Sequence, residues 1–294
     1  MPMCRERNSE RELRPASEVG SRLGAETRMR DIIRYTASGF EDTTDELVDE
    51  SPVEFRLGGV PIAVLMRTPG DDKNLGRGFA LTEAIVLNPS EIAEVRLVSE
   101  TDQGDRYDLV LAEGIVVDPE QFRRNLYTSS SCGVCGKASI DAVRITARTM
   151  SEGPSIDAGL LTSLPAVMLE EQTLFSRTGS IHAAAAFTPE GALVDLAEDV
   201  GRHNAVDKLV GRLSRDRWPL DNLVLLVSGR LSFEMVQKAA VAGTPIIAGV
   251  SGASSLAVEL GEELGMTVIG FLRSDGFNLY TGSNRIVQIL DNET

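Results

Sequence analysis

From residue 51 onward the chain carries a clear pattern of apolar and polar positions. In Val53-Glu54-Phe55-Arg56-Leu57 every second residue is apolar, and a second apolar run at 60–66 follows Gly58-Gly59. Two such runs across a glycine pair predict a β-hairpin. Residues 75–87 change to helical spacing, with Leu75, Phe79, Thr82 and Val86 along one face. Residues 92–98 and 107–111 predict another strand pair, joined through Asp102-Gln103-Gly104. Beyond residue 220 the style differs. Short apolar runs at 223–227, 245–248 and 267–271 alternate with helical stretches at 233–242 and 255–264. That alternation implies βαβ crossovers and a largely parallel sheet. The expected fold class is therefore α/β, with a smaller α+β unit at 51–137 and a larger α/β unit at 138–294. Residues 1–50 show no such pattern and end in the acidic run Glu41, Asp42, Asp45, Glu46, Asp49 and Glu50. They are expected to form a solvated, disordered leader, with Met29 as an alternative start. Neither an internal repeat nor a low-complexity tract interrupts the pattern.

A chain of 294 residues with 42% apolar residues can bury a sizeable core and has room for two domains. It contains no apolar run of about 18 residues, and residues 1–14 lack an apolar signal core. Neither a membrane span nor a secretory signal is expected. Three cysteines, one of them Cys4 in the leader, make a poor disulfide framework, so a reducing cytoplasm fits best. The formal net charge of -15 argues against nonspecific nucleic-acid binding. An anionic ligand can bind such a chain only where local arginines and helix N-termini overcome the background field.

Two turns meet that condition. Ser228-Gly229-Arg230-Leu231-Ser232 and Gly249-Val250-Ser251-Gly252-Ala253-Ser254 each follow an expected strand and precede an expected helix. They lie at the carboxyl ends of parallel strands, where open α/β sheets bind ligands and where exposed amides suit phosphate. Arg230 adds a bidentate donor. The plainer reading makes both ordinary tight turns, with Ser232 and Ser254 as helix caps. The two histidines also sit in polar company. His182 begins His182-Ala183-Ala184-Ala185, and His203 lies in Glu198-Asp199-Val200-Gly201-Arg202-His203-Asn204, directly before an apolar helical run. An Asn204–Asp207 capping box explains part of that block. It leaves Glu198, Asp199, Arg202 and His203 unexplained, and these four are candidates for function.

Cys132-Gly133-Val134-Cys135 is the sharpest chemical feature. Structural zinc needs four ligands, and only His182 and His203, widely separated, are on offer. A zinc deaminase places its His-x-Glu before the cysteine pair, the reverse of the order here. A thioredoxin-like site would start a helix early in a βαβ unit, whereas this pair follows a serine-rich stretch. Sulfur carriage needs an accessible thiolate of lowered pKa on a mobile segment; flanking glycines with Lys137 and Arg144 suit it. Spacing leaves these options open.

Taken together the motifs resemble those of the FdhD family. The resemblance rests on Cys132-Gly133-Val134-Cys135-Gly136, on Thr178-Gly179 with His182-Ala183-Ala184, and on the block from Glu198 to Lys208. Ser228-Gly229-Arg230 with Glu234, Met235 and Lys238, then Phe271-Leu272-Arg273 with Asn278-Leu279-Tyr280, extend it, as does Gly78-Phe79-Ala80-Leu81-Thr82-Glu83 upstream. It implies a cytoplasmic sulfurtransferase required by formate dehydrogenase. Such a protein takes sulfur from a cysteine desulfurase and delivers it to the molybdenum of bis-molybdopterin guanine dinucleotide. It further implies a cytidine-deaminase-like larger domain without bound metal, and a homodimer that engages neither nucleic acid nor membrane. Cys132 is the implied persulfide carrier and Cys135 its assistant. Phe271, Leu272, Arg273, Ser274, Asp275 and Gly276 are the implied cofactor-binding stretch, joined by Ser228, Gly229, Arg230, Arg202 and His203. A cofactor chaperone without sulfur transfer and a dithiol oxidoreductase are the alternatives. Ser180, Ala84 and Ser251-Gly252-Ala253-Ser254 depart from the family pattern and bear on the shape of the pocket.

Overall fold

The computed structural model describes residues 26–101, 104–123, 149–150 and 152–288. Cys4, Cys132, Cys135, Lys137 and Arg144 lie outside the described residues.

The expected hairpin of the first patterned segment is β3 (Ser51–Leu57) and β4 (Val60–Arg67), antiparallel across Gly58-Gly59, both of which have positive φ. The second expected pair is β5 (Ile92–Ser99) and β6 (Asp105–Leu111), also antiparallel. β6 runs parallel to β3, giving a four-stranded sheet in the order β4-β3-β6-β5. Helix α1 (Asp72–Thr82) covers one face of this sheet, and Val53, Phe55, Leu75, Leu81 and Leu109 form its core, each at most 1% exposed. The helix stops five residues before the apolar pattern suggests. Ala84 turns left-handed at φ 54°, and the amides of Ile85 and Val86 fold back onto the Ala80 carbonyl. Val86 therefore reaches the core from a loop.

A short helix, α2 (Glu120–Arg123), follows β6. The C-terminal half opens with β7 (Ile156–Asp157), α3 (Ala158–Glu171) and α4 (Thr173–Thr178). Next come β8 (His182–Phe187), β9 (Leu193–Asp199), α5 (Arg202–Leu213), β10 (Val224–Val227), α6 (Phe233–Ala242), β11 (Ile246–Gly249), α7 (Ser255–Glu263), β12 (Thr267–Arg273), β13 (Gly276–Thr281) and β14 (Ile286–Val287). Six of these strands form one sheet in the order β13-β12-β11-β10-β8-β9. As the pattern requires, β10, β11 and β12 are parallel; β8 and β13 flank them antiparallel, and β9 pairs antiparallel with β8. Every residue of β10 and β11 is buried, because cores occupy both faces of the sheet. No helix among the described residues is long and apolar enough to cross a membrane.

The expectation of a disordered leader is corrected over residues 27–48. Strands β1 (Thr27–Thr36) and β2 (Gly39–Val48) form a ten-pair antiparallel hairpin, with Gly39 at φ 116°. Two carboxylates of the acidic run face arginines across the ladder, which eases their place in a strand: Arg30 opposes Asp45, and Arg34 opposes Glu41.

The two sheets meet where α1 crosses α5. A Cβ at Gly78 would overlap the Asp207 carbonyl oxygen, and one at Gly211 would overlap the Asn74 carbonyl oxygen. These are backbone-to-backbone approaches that only glycine permits. Beside the crossing, Thr82 and Lys238 converge on the buried Asp207 carboxylate, and Lys238 also reaches Glu83. Gly78→Val is expected to lower stability by about 3 kcal/mol or prevent folding, through overpacking at rigid backbone. Urea unfolding of this variant beside wild type measures it, and an unchanged midpoint would show that the helices do not meet here.

Candidate functional site

The ligand-facing edge is built from the carboxyl ends of β10, β11 and β12 and from the start of α5. Its organising group is Asp199, the last residue of β9 and fully buried. Its carboxylate accepts from the amides of Gly201 (2.8 Å) and Thr68 (3.1 Å) and from the Asn204 side chain (2.9 Å), and it pairs with Lys208 at 2.7 Å. Asn204 also donates to the Met66 carbonyl, and Lys208 to the Thr68 carbonyl. The first turn of α5 is thereby fastened to the link between β4 and α1.

This corrects the reading of the polar block in part. Glu198 accepts from the amides of Leu174 and Phe175 and so caps α4. Asp199 and Asn204 act as anchors, and the expected Asn204–Asp207 capping box does not form: Gly201 is the N-cap, without a side-chain cap. Arg202 and His203 remain as the block's candidate ligand contacts. Both hold a buried nitrogen, Arg202 Nε and His203 Nε2, with no hydrogen-bond partner among the described residues. Buried polar atoms left unsatisfied are costly, which makes these two nitrogens candidate contacts for a ligand.

The β8–β9 ladder sets His182 opposite Asp199. Its ring lies beside the first anion turn, Nδ1 3.4 Å from Ser228 Oγ, and Ser228 Oγ accepts from the Ala183 amide at 2.9 Å. Gly229 sits between His182 and Arg202; a Cβ there would lie 3.6 Å from the imidazole and 3.5 Å from Arg202 Cδ. Ser228, Gly229 and Arg202, grouped in the sequence, are thus neighbours, and His182, outside that group, joins them. Arg230 and Arg273 are exposed and make no ion pair among the described residues, which leaves both free for an anion.

The two anion turns prove unequal. Backbone hydrogen bonds join them: Leu231 donates to the Gly252 carbonyl, and Ser254 to the Leu231 carbonyl. The second turn closes its own helix, since Ser254 Oγ accepts from the Ala257 amide. The first does not. Ser232 is the N-cap residue of α6, yet its Oγ is buried and unpartnered, and no side chain caps the helix. Of the two helix starts, that of α6 is the one without a side-chain cap among the described residues.

The 271–276 stretch joins this edge through its first residue. Phe271 lies at φ 53°, 44% exposed, and its amide donates to the Ser251 carbonyl. Its ring lies against Gly252, where a Cβ would come within 2.9 Å. Arg273, Ser274 and Asp275 are exposed, whereas Leu272 is fully buried and can offer only backbone. Its side chain fills the core on the α3 face of the sheet.

The electrostatics keep the histidines neutral. Burial, followed by the Lys238 and Arg202 cations and by His182, depresses His203 to about 3. Burial and Arg202 lower His182, with Asp199 opposing. Burial raises Asp207 to about 6 while Lys238 opposes the rise and Glu83 adds to it. Burial works to lower the Lys238 ammonium, but Asp207 and Glu83 outweigh it and hold the charge. A neutral imidazole between two cations can give or take one hydrogen bond without adding charge, which suits a polar ligand group beside an anion. Sequence reading missed Thr68, whose amide, hydroxyl and carbonyl all serve the anchor. A lone threonine in a link gives no periodic or motif signal.

Fold and site together define a mixed α/β protein with an anion-ready edge at its parallel strands, reached by a second, smaller sheet unit. The chain belongs to the FdhD/NarQ family, whose sequence model matches residues 48–287. It is 48% identical to the "Sulfur carrier protein FdhD" of Streptomyces avermitilis, over 90% of this chain and 97% of that one. It is 42% identical to the protein of the same name from Mycobacterium tuberculosis, over 90% of this chain and all of the relative. A crystal structure from Desulfotalea psychrophila, of a protein provisionally assigned as a formate dehydrogenase accessory protein, has the same fold. It superposes with a TM-score of 0.70 over 90% of this chain and all of the other, at 22% identity.

Two outcomes follow from the geometry. Ser254→Ala is expected to cost about 1 kcal/mol through the lost cap, whereas Ser232→Ala, which removes an unpartnered hydroxyl, is expected to be near neutral in urea unfolding. The chain's two histidines allow a direct titration by proton NMR: the His203 signal should stay unprotonated down to about pH 3. Because its folded pKa lies below the unfolded value of 6.5, the unfolded state binds more protons between them, and stability falls as pH drops through that window. Asp207, raised, acts in the opposite sense between its two values. The difference in slope between wild type and His203→Gln therefore isolates the histidine, and equal slopes would refute its burial.

Proposed function

We propose that this chain is a sulfur carrier serving formate dehydrogenase. The thiolate of Cys132 attacks the outer sulfur of a cysteine desulfurase persulfide, takes that sulfur as Cys132–S–S⁻, and releases the donor's thiolate. Attack of the Cys135 thiolate on Cys132 Sγ would then break the persulfide bond and release the outer sulfur as hydrosulfide to the molybdenum of bis-molybdopterin guanine dinucleotide, held on the edge described above, before the cofactor enters the dehydrogenase; the Cys132–Cys135 disulfide left behind would be reduced by an external thiol. Cys135 assists the relay or resolves the persulfide as a disulfide. The observation that carries the reading is the 48% identity, across nearly the whole chain, with a relative named a sulfur carrier protein.

The edge supports a phosphate-bearing substrate in particular. The open start of α6, the exposed Arg230 and Arg273 and the unpartnered Arg202 Nε supply donors in an otherwise acidic chain. Phe271, partly exposed beside Gly252, offers an aromatic surface to a guanine base. His203 orients rather than neutralises, since it carries no charge. In this reading the six-stranded sheet with its parallel centre is deaminase-like, 51–137 and 138–294 are its two domains, and the protein works as a cytoplasmic homodimer.

Incubation with a cysteine desulfurase and cysteine, then mass spectrometry, is expected to show one added sulfur on the peptide bearing Cys132. The Cys132→Ala variant should lose it and all sulfur transfer. Retention of full transfer would overturn the assignment. Cys135→Ala is expected to keep the persulfide on Cys132 but not pass it on. Stoichiometric zinc without any persulfide would favour a metal-clamped cofactor chaperone instead, and a reversible Cys132–Cys135 disulfide turning over an acceptor would favour a dithiol oxidoreductase.

A further inference from the structure

His182 stands at the anion edge outside both the polar block and the 271–276 stretch. It opens β8, with Asp199 opposite it on β9 and with β10 on the other side. Beyond the last ladder pair with β10, Ala184 with Val227, a single serine continues the pairing. Ser228 donates its amide to the Ala183 carbonyl at 3.0 Å, and its Oγ accepts from the Ala183 amide at 2.9 Å. Two bonds to one residue fix both the backbone and the side chain of Ser228. With one lone pair taken by that amide, the hydroxyl keeps its proton for a neighbour, and His182 Nδ1 lies 3.4 Å away. The ring also faces Gly229, where a Cβ would lie 3.6 Å from Cε1 and Nδ1 and 3.5 Å from Arg202 Cδ. A Cβ would already touch both, so only glycine leaves the space between the imidazole and the Arg202 stem unfilled.

An imidazole that accepts at Nδ1 carries its proton on Nε2 while neutral. The ring is uncharged at neutral pH, because burial first and the Arg202 cation second lower its pKa, with Asp199 opposing only in part. Nε2 makes no hydrogen bond among the described residues. The edge thus sets a fixed cation and a neutral, oriented donor on two sides of one glycine. A metal ion on this ring would have Arg202 as a like-charged neighbour, whereas an oxyanion would gain from both groups. We infer that His182 is a further ligand-contacting residue, donating from Nε2 to a phosphate oxygen of the guanine dinucleotide, and that Ser228 is its positioning residue. The inference rests on the proposed reading of this edge as the seat of a phosphate-bearing substrate. It adds a role that charge alone does not supply. Arg202 attracts any anion, but a neutral N–H rewards only an oxygen in line with it. Such a contact selects where the phosphate sits without strengthening the pull on other anions.

The test uses the nitrogen-labelled full-length protein, with guanosine diphosphate and inorganic pyrophosphate as probes. Because the chain has two histidines, long-range nitrogen–proton correlation reads each tautomer directly. The His182 proton is expected on Nε2, and the Nε2 signal should shift when either probe binds. In calorimetry His182→Ala should weaken both probes by about tenfold or more, and His182→Gln, which returns a donor near the same place, should recover most of that loss. Ser228→Ala should admit a population protonated on Nδ1, a change that a packing role would not produce. The wild-type spectra decide the matter even where a variant fails to fold. A proton on Nδ1 in wild type, or equal binding by wild type and His182→Ala, would overturn the inference alone. A loss confined to guanosine diphosphate would move the contact to the nucleoside and overturn it as well. Wild type that binds neither probe at millimolar concentration would remove the phosphate reading of the edge, and the inference with it.

Discussion

The rest of the structure depends on one buried carboxylate. Asp199 ends β9 inside the protein, and no water is needed to satisfy it, because Lys208, Asn204 and two backbone amides do so. Burying a charge is expensive unless partners replace its hydration, and a half-satisfied version would be worse than an apolar one. The groups that satisfy Asp199 come from three places: the end of a strand of the large sheet, the first turn of α5, and the link leading to α1. Those are the parts that must be in register for Arg202 to lie against Gly229. The glycine crossing of α1 over α5 and the Thr82–Asp207–Lys238 cluster extend the same junction one helical turn further. The site is thus assembled at a seam between the two sheet units, and its rigidity comes from the seam.

Most of the architecture was legible wherever one periodicity ruled. β10, β11, α6 and α7 appear within a residue or two of where apolar runs and helical spacing put them, since buried parallel strands must be apolar throughout. β8 was not legible. Ala183, Ala184, Ala185 and Ala186 have weak strand propensity, and they form a strand because β10 and β9 pair with them on either side. The hairpin of residues 27–48 was hidden because its carboxylates, read along the chain, look like a solvated tail. Read across the ladder, they face arginines. Cross-strand neighbours are a property of register, and register is absent from a linear pattern.

The candidate site was legible by residue type more than by role. Arg202, Ser228 and Gly229, grouped in the sequence, lie side by side at the carboxyl end of a parallel strand, where a charged or glycine-rich turn has few structural reasons to exist. Glu198, Asp199 and Asn204 look equally functional in the sequence, yet their partners are backbone groups far along the chain. Polar density therefore marked the right place but could not separate the groups that hold the site from those that would touch a ligand. Nor could it rank the two turns, which differ only in whether a serine hydroxyl faces its own helix.

The backbone bridge between Leu231 and Ala253 has a further consequence. Because each turn is hydrogen-bonded to the other, neither can shift alone to admit a ligand of different size. Adaptation must come from side chains at the rim, chiefly Arg230, Arg273 and Phe271, while the floor keeps its shape. Such a surface loses little backbone entropy on binding and responds mainly to charge and to planar groups. Selectivity would then be a matter of how many phosphates and rings a molecule can present at fixed spacing. Small anions that match only one part of the edge would leave quickly.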